Sequence, residues 1–263
     1  MSSSTSAYRV QEILGRGGFR TVALCKKRPT NHLVVLKMSK GEKSIAASEN
    51  EATYLSRMRA KGSQDSNIVR YMDSFMVDDV HCLEFERLDI SLSQDIEHHR
   101  LTVKEIPGQG SWFSEAVGVV HADLKPANVM LVDHVLQPLR VKLIDFGLAH
   151  VMVTKVSLCP PQISRNAAGS PYSHAVDTWG LGCIAAEMWR GTSLFQGLSA
   201  AHMFYEETPP EFKAAEECDV SSFMDLVTEM LSMNPRERIT PSDILHHPFL
   251  ELSHLDSSRH SSS

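Results

Sequence analysis

The 263-residue chain has no apolar run approaching the length of a membrane-spanning helix, so a helical membrane protein is not expected. Its start, "MSSSTSAYRV", has neither a basic n-region nor an apolar h-region, so it is not expected to be a signal peptide. The five cysteines (Cys25, Cys82, Cys159, Cys183 and Cys218) include no C-x-x-C pair. They are expected as reduced, mostly buried thiols of an intracellular protein rather than as a disulfide frame. Histidine is plentiful, but "EHHR" and "LHHPF" lack the H-x-x-x-H or H-E-x-x-H spacing that sets two ligands on one helical face. They are expected at the surface or in packing. No dense Lys/Arg cluster addresses the chain to the nucleus, and a net charge of −6 argues against a dedicated nucleic-acid binder. Internal repeats are absent.

What is present is ordinary for a globular protein: 42% hydrophobic and 22% charged residues. The length suits one large domain or two small lobes sharing a cleft. Ser-rich ends, residues 1–6 and 251–263, read as tails. From Tyr8 to about Phe85 the pattern is mainly strand: "YRVQEIL", "TVALCKK", "HLVVLKM", "IVRYMDSF" and "VHCLEFE". Lys43 to Ala60 is rich in helix formers and free of Gly and Pro, which predicts one helix inserted in a five-stranded antiparallel set. After Leu88 the texture becomes helical. "HAVDTWGLGCIAAEMWRG" is apolar nearly all round, the mark of a buried helix. "VSSFMDLVTEMLSMNP" is amphipathic and stops at proline, and "TPSDILHHPFL" opens on a Thr cap with Pro behind it. The fold class is therefore α+β, a small antiparallel β lobe followed by a larger α-helical lobe.

Four stretches carry chemistry. "LGRGGFRTV", Leu14 to Val22, is a glycine turn between strands whose bared N–H groups suit phosphate oxygens, though such turns also merely close hairpins. It leads into a strand, which argues against a dinucleotide fingerprint. Lys37 stands mid-strand in "VVLKM" and must either snorkel out or face negative charge. Glu51, in the predicted helix, can pair with it, or the two are unrelated surface charges. In "VVHADLKPANVML", Asp123 and Asn128 are five positions apart with Lys125 between them. Such a loop can turn a carboxylate to a substrate hydroxyl, a lysine to a phosphate and an amide oxygen to a cation. In "VKLIDFGLA", Asp145 ends a buried strand ahead of a hinge glycine, a place for a magnesium ligand or for a capping turn.

In this order the stretches resemble the eukaryotic protein kinase fold. "HADLKPANVMLVD", "QPLRVKLIDFG" and "ITPSDILHHPFLELSHL" look specifically like the homeodomain-interacting protein kinases, within the group of cyclin-dependent and dual-specificity tyrosine-regulated kinases. That subfamily also carries alanine where most kinases have arginine, so Ala122 belongs to the match. The resemblance implies a kinase domain over 7–250, with lobes 7–86 and 89–250. It implies ATP and Mg2+ as ligands, with transfer of the γ-phosphate to Ser/Thr hydroxyls of proteins, transcriptional regulators among them. It implies no nucleic acid or membrane partner, and nuclear residence, with the cytoplasm as the alternative.

By position, Asp123 would orient the attacking hydroxyl and Lys125 steady the γ-phosphate, while Asn128 and Asp145 would hold magnesium. Lys37, fixed by Glu51, would grip the α- and β-phosphates. Leu14, Gly15, Gly17, Val22, Val35 and Met130 would surround the nucleotide, with Phe85 as gatekeeper and Glu86 and Leu88 offering hinge backbone to adenine. Asp177 would brace the catalytic loop.

Four departures accompany the match. The third loop glycine is Arg20, which carries about 1–2 kcal/mol of strain if the backbone there needs φ > 0. "PGQGSWFSEAVGVV" predicts a truncated helix before the catalytic loop. Between Asp145 and Asp177 the A-P-E motif and the subfamily's activation tyrosine are missing, with Ser157 and small residues in their place, which would strip a buried Arg238 of its glutamate. The stretch from Trp189 to Phe223 is short, so a substrate-binding insert is expected to be absent. A catalytically weak scaffold of kinase shape, binding nucleotide or protein partners, is therefore the alternative function.

Overall fold

The computed structural model describes residues 7–60, 67–98, 119–151, 173–192 and 217–250. The expected Ser-rich tails, the truncated helix before Val119, the segment lacking A-P-E and most of the short stretch after Trp189 lie outside the described residues. The chain folds as two compact units. Met1–Ile90 with Met130–His150 form the first, and Ser91–Val129 with Val151–Ser263 the second.

The first unit is built on five strands: β1 (Ala7–Arg16), β2 (Arg20–Arg28), β3 (Leu33–Lys40), β4 (Tyr71–Val77) and β5 (Val80–Glu86), ordered β1-β2-β3-β5-β4. All four pairings are antiparallel. Helix α1 (Glu42–Ala60) is inserted between β3 and β4, as the residue pattern predicts. Strand alternation divides β3 into two faces. Val34, Leu36 and Met38 join Tyr8, Ala23, Cys25 and Cys82 in an apolar cluster on one face. Val35, Lys37 and Ser39 take the other.

Helix α1 starts after Gly41, whose φ of +84° turns the chain and whose carbonyl accepts from Ser44 and Ile45 N–H at 3.0 and 2.9 Å. Arg57 and Arg59 in the last turn suit the negative end of the helix dipole. The buried residues Ser48, Glu51, Leu55 and Met58 fall at helical spacing on one stripe. Glu51 is thus a carboxylate at a core position, where burial is tolerated only with a partner.

A short helix α2 (Leu92–His98) follows the sheet, and the two-residue strand β6 (Val119–Val120) precedes the catalytic-loop candidate. Strands β7 (Val129–Asp133) and β8 (Gln137–Leu143) form a hairpin; Asp133 Oδ1 closes its turn by accepting from the N–H groups of Val135 and Leu136. Strand β9 (His150–Val151) is brief.

In the second unit, α3 (His174–Arg190), α4 (Glu217–Met230) and α5 (Pro241–Leu245) share a core of Ala186, Phe223, Leu226, Val227, Met230, Ile244, Phe249 and Leu250. Ser173 caps α3, accepting from Ala175 N–H, and Gly191 ends it at φ 68°. Thr240 caps α5 with Pro241 behind it, the start that the residue pattern predicts.

The glycines of "DTWGLG" explain themselves by close approach. A Cβ on Gly180 would lie 2.8 Å from Leu124 Cβ and 2.9 Å from Leu124 O, so α3 packs directly on the loop that carries Asp123. Gly180→Ala is expected to force these groups apart, destabilising by about 1–3 kcal/mol and lowering the calorimetric Tm by about 2–10 °C. An unchanged Tm would show that this contact is slack.

Candidate functional site

In the first unit, Lys37 is buried on β3 and its ammonium meets two acids. Nζ lies 2.9 and 2.7 Å from the two oxygens of Glu51 and 2.7 Å from Asp145 Oδ1. An ammonium has three N–H bonds, so these contacts use all of its donors. The sequence pattern left open whether Lys37 and Glu51 were unrelated surface charges; they form a buried pair. Burial raises the Glu51 pKa, with Lys37 opposing it. At Asp145 burial also disfavours the charge, but Lys37 and then Arg20 outweigh it and hold the carboxyl below the ordinary carboxylate range.

Asp145 sits at φ 61°, ψ 68°, a left-handed conformation that Asp tolerates better than most residues, and its Oδ1 accepts weakly from Gly147 N–H at 3.4 Å. An anionic, part-exposed carboxylate beside a lysine is a hard oxygen donor suited to magnesium.

The other candidates of the first unit lie on its strands or in the loops beside them. Gly15 pairs with Val22, which pairs in turn with Lys37, and Val35 pairs with Phe85. Phe85 is buried and packs against the Tyr71 ring, with centroids 6.0 Å apart. Glu86 donates its N–H to Arg70 O, while its carboxylate accepts from Lys142 Nζ at 2.5 Å and Arg70 N–H at 2.6 Å. Its side chain is therefore engaged within the protein. Leu88 is buried, and Met130 lies on β7 beside Leu131, whose N–H bonds Ile90 O and whose carbonyl accepts from Asp89.

The glycine turn is closed by Gly17 N–H to Arg20 O at 2.8 Å, and Leu14 is half exposed. A Cβ on Gly15 or Gly18 would meet nothing within 4 Å, which leaves the backbone face of the turn open. The strain expected at Arg20 does not arise: it begins β2 in ordinary strand geometry, paired with Ser39, and is absent from the left-handed residues.

In the second unit, Asp123 accepts from Lys125 Nζ at 2.8 Å and from Asn128 Nδ2, which also donates to the Asp123 carbonyl at 2.8 Å. With its amide nitrogen so committed, Asn128 has its oxygen as the atom to offer a cation. Ala122 takes φ 63°, the second strained residue of the candidate set. Its N–H and that of His121 donate to the two oxygens of Asp177, at 2.8 and 2.7 Å. Asp177, buried on α3, thereby holds the loop in its strained turn. Burial pushes its pKa up, opposed by these two N–H bonds.

Arg238 has no carboxylate among the described residues. Instead it donates to the carbonyls of Ser232 and Ala175 and lies 5.0 Å over the Trp179 ring. Carbonyls and an indole face thus replace the expected acid, and burial lowers its pKa.

Sequence reasoning missed Arg20 and Lys142. Lys142 was findable by the rule applied to Lys37, a lysine in an apolar strand; Arg20 was counted only as a lost glycine.

Residues 8–250 match the protein kinase domain family. The chain is 29% identical to homeodomain-interacting protein kinase 2 of Mesocricetus auratus, over 97% of its own length and 29% of the relative's. It is 30% identical to homeodomain-interacting protein kinase 1 of Mus musculus, over 100% and 29%. To homeodomain-interacting protein kinase 4 of Homo sapiens it is 26% identical, over 98% and 57%. The chain therefore spans less than a third of the first two relatives. The mouse alignment runs over 351 residues for a chain of 263, so that relative carries internal segments this chain lacks.

Removing the Asp177 acceptors should release the loop. Asp177→Ala leaves two N–H groups unpaired and is expected to lower stability by about 1–3 kcal/mol per group, with Asp177→Asn milder because it keeps one acceptor. Calorimetry of the two variants checks the order, and equal melting of all three proteins would contradict it.

Proposed function

Since the chain belongs to the protein kinase family, we propose that it binds ATP with magnesium and transfers the γ-phosphate to Ser/Thr hydroxyls of protein substrates. The observation that carries this reading is Lys37 held on both oxygens of Glu51 while touching Asp145. No ordinary packing role needs a lysine shared between two acids at the mouth of a glycine turn. Phosphoryl transfer asks mainly for positioning and charge neutralisation, which this set supplies.

In the proposed mechanism the open glycine turn and Lys37 receive the triphosphate, Val22, Val35 and Met130 surround the nucleotide with Phe85 as gatekeeper, and Glu86 and Leu88 offer backbone to adenine. Asp145 and the Asn128 oxygen would hold magnesium, a donor set of hard oxygens that fits it. Magnesium, when bound, neutralises phosphate charge and orients the triphosphate. Asp123 orients the attacking hydroxyl and accepts its proton, and Lys125, now on Asp123, swings to the transferring phosphate. The kinase domain is proposed over 7–250. The names of the relatives extend the proposal to homeodomain-type transcriptional regulators as substrates, and hence to the nucleus.

A second reading, a scaffold that binds nucleotide without efficient transfer, rests on the A-P-E motif missing between Asp145 and Asp177; the carbonyl partners of Arg238 offset only the loss of that motif's glutamate. Labelled phosphate transfer to a basic protein, measured beside thermal stabilisation by ATP with magnesium, separates the two. The kinase reading expects both in the wild type. It expects Asp123→Asn to lose transfer by about 100-fold or more while keeping stabilisation, and Asp145→Asn to lose transfer. Stabilisation without transfer in the wild type favours the scaffold; neither signal overturns both.

A further inference from the structure

Arg20 stands where the glycine turn rejoins the sheet, and three observations fix its direction. It pairs with Ser39 as Val22 pairs with Lys37, so by strand alternation Arg20 and Lys37 lie on one face of the sheet. The preceding carbonyl, Phe19 O, is clamped by Lys40 N–H at 2.9 Å and Ser44 Oγ at 3.3 Å, so the side chain is rooted in the sheet and in the start of α1. Its guanidinium reaches the D-F-G turn: a Cβ placed on Gly147 would be 3.2 Å from Asp145 Oδ1 and 3.6 and 3.7 Å from Arg20 Nη2 and Nη1. The guanidinium and the Asp145 carboxylate thus converge on one point, and the Arg20 charge is felt by both Asp145 and Glu51.

We propose that Arg20 is a phosphate-binding residue, a second cation beside Lys37 that lets the site hold a nucleoside triphosphate with little dependence on a divalent cation. The inference rests on the nucleotide-binding reading above. Its logic lies in the donor count. All three Lys37 donors are taken, two by Glu51 and one by Asp145, so gripping phosphate requires Lys37 to leave Asp145. Without another cation the released carboxylate would repel the triphosphate until magnesium arrived. Arg20 supplies that cation from the protein itself, and its planar fork suits two phosphate oxygens at once. A glycine at this position offers only backbone.

Titration calorimetry of ATP, in EDTA and in magnesium, tests this on wild type, Arg20→Gly and Arg20→Gln, with adenosine as the phosphate-free control. Loss of one charge-assisted contact corresponds to an affinity change of about ten- to a hundredfold. The wild type is expected to bind ATP in EDTA within about tenfold of its affinity in magnesium, the span of one such contact. Both variants are expected to weaken in EDTA by about ten- to a hundredfold, with a smaller loss in magnesium and adenosine affinity unchanged. An EDTA affinity within about twofold of wild type in both variants overturns the proposal. So does an equal loss for ATP and adenosine, which would mark a shape effect. Wild type that binds adenosine but not ATP in EDTA overturns it alone, whereas wild type that binds neither ligand in either buffer overturns the nucleotide reading beneath it.

Discussion

A buried ammonium shared by two carboxylates sets the terms for the first unit. Lys37 cannot sit on the inner face of β3 without negative partners, because a lone charge removed from water is prohibitively unfavourable. Glu51 meets it from the buried stripe of α1, which commits that helix to one rotation about its axis. Asp145 meets it from the end of the β7–β8 hairpin region, which commits the D-F-G turn to its left-handed bend. Helix, sheet and turn are thus oriented by a single three-way contact. Such a contact contributes specificity of arrangement more than net stability, since desolvation offsets much of the Coulomb attraction.

The second unit uses the same device in neutral form. Asp177 takes two backbone N–H groups, so Ala122 can hold a positive φ that alanine disfavours. Gly180, one turn further along α3, leaves room for Leu124 to approach. A carboxylate to hold the loop and a missing side chain to admit it are both supplied by one helix. Each unit therefore places its polar groups by burying a carboxylate and then satisfying it.

Much of this was legible in the residues. The five strands and α1 followed from alternation and helix propensity, and the caps of α5 from Thr240 and Pro241. Lys37 and Glu51 could be read from their own stretches either as a pair or as unrelated surface charges, and only the order of all four stretches pointed to the pair. What stayed hidden was tertiary. The partners of Arg238 are carbonyls, which no side-chain pattern announces. The backbone of Arg20 is unstrained because the strand register begins there, and register is not visible in a glycine count. The engagement of Glu86 by Lys142 needs two strands distant in sequence to lie near one another.

The account stands on the claim that Lys37 serves the nucleotide only because Glu51 holds it. The most direct measurement is a double-mutant cycle on the affinity for ATP with magnesium, using Lys37→Met, Glu51→Gln and both together. The account predicts that each single change weakens binding and that the double variant is no weaker than Lys37→Met. Losses that simply add would contradict it.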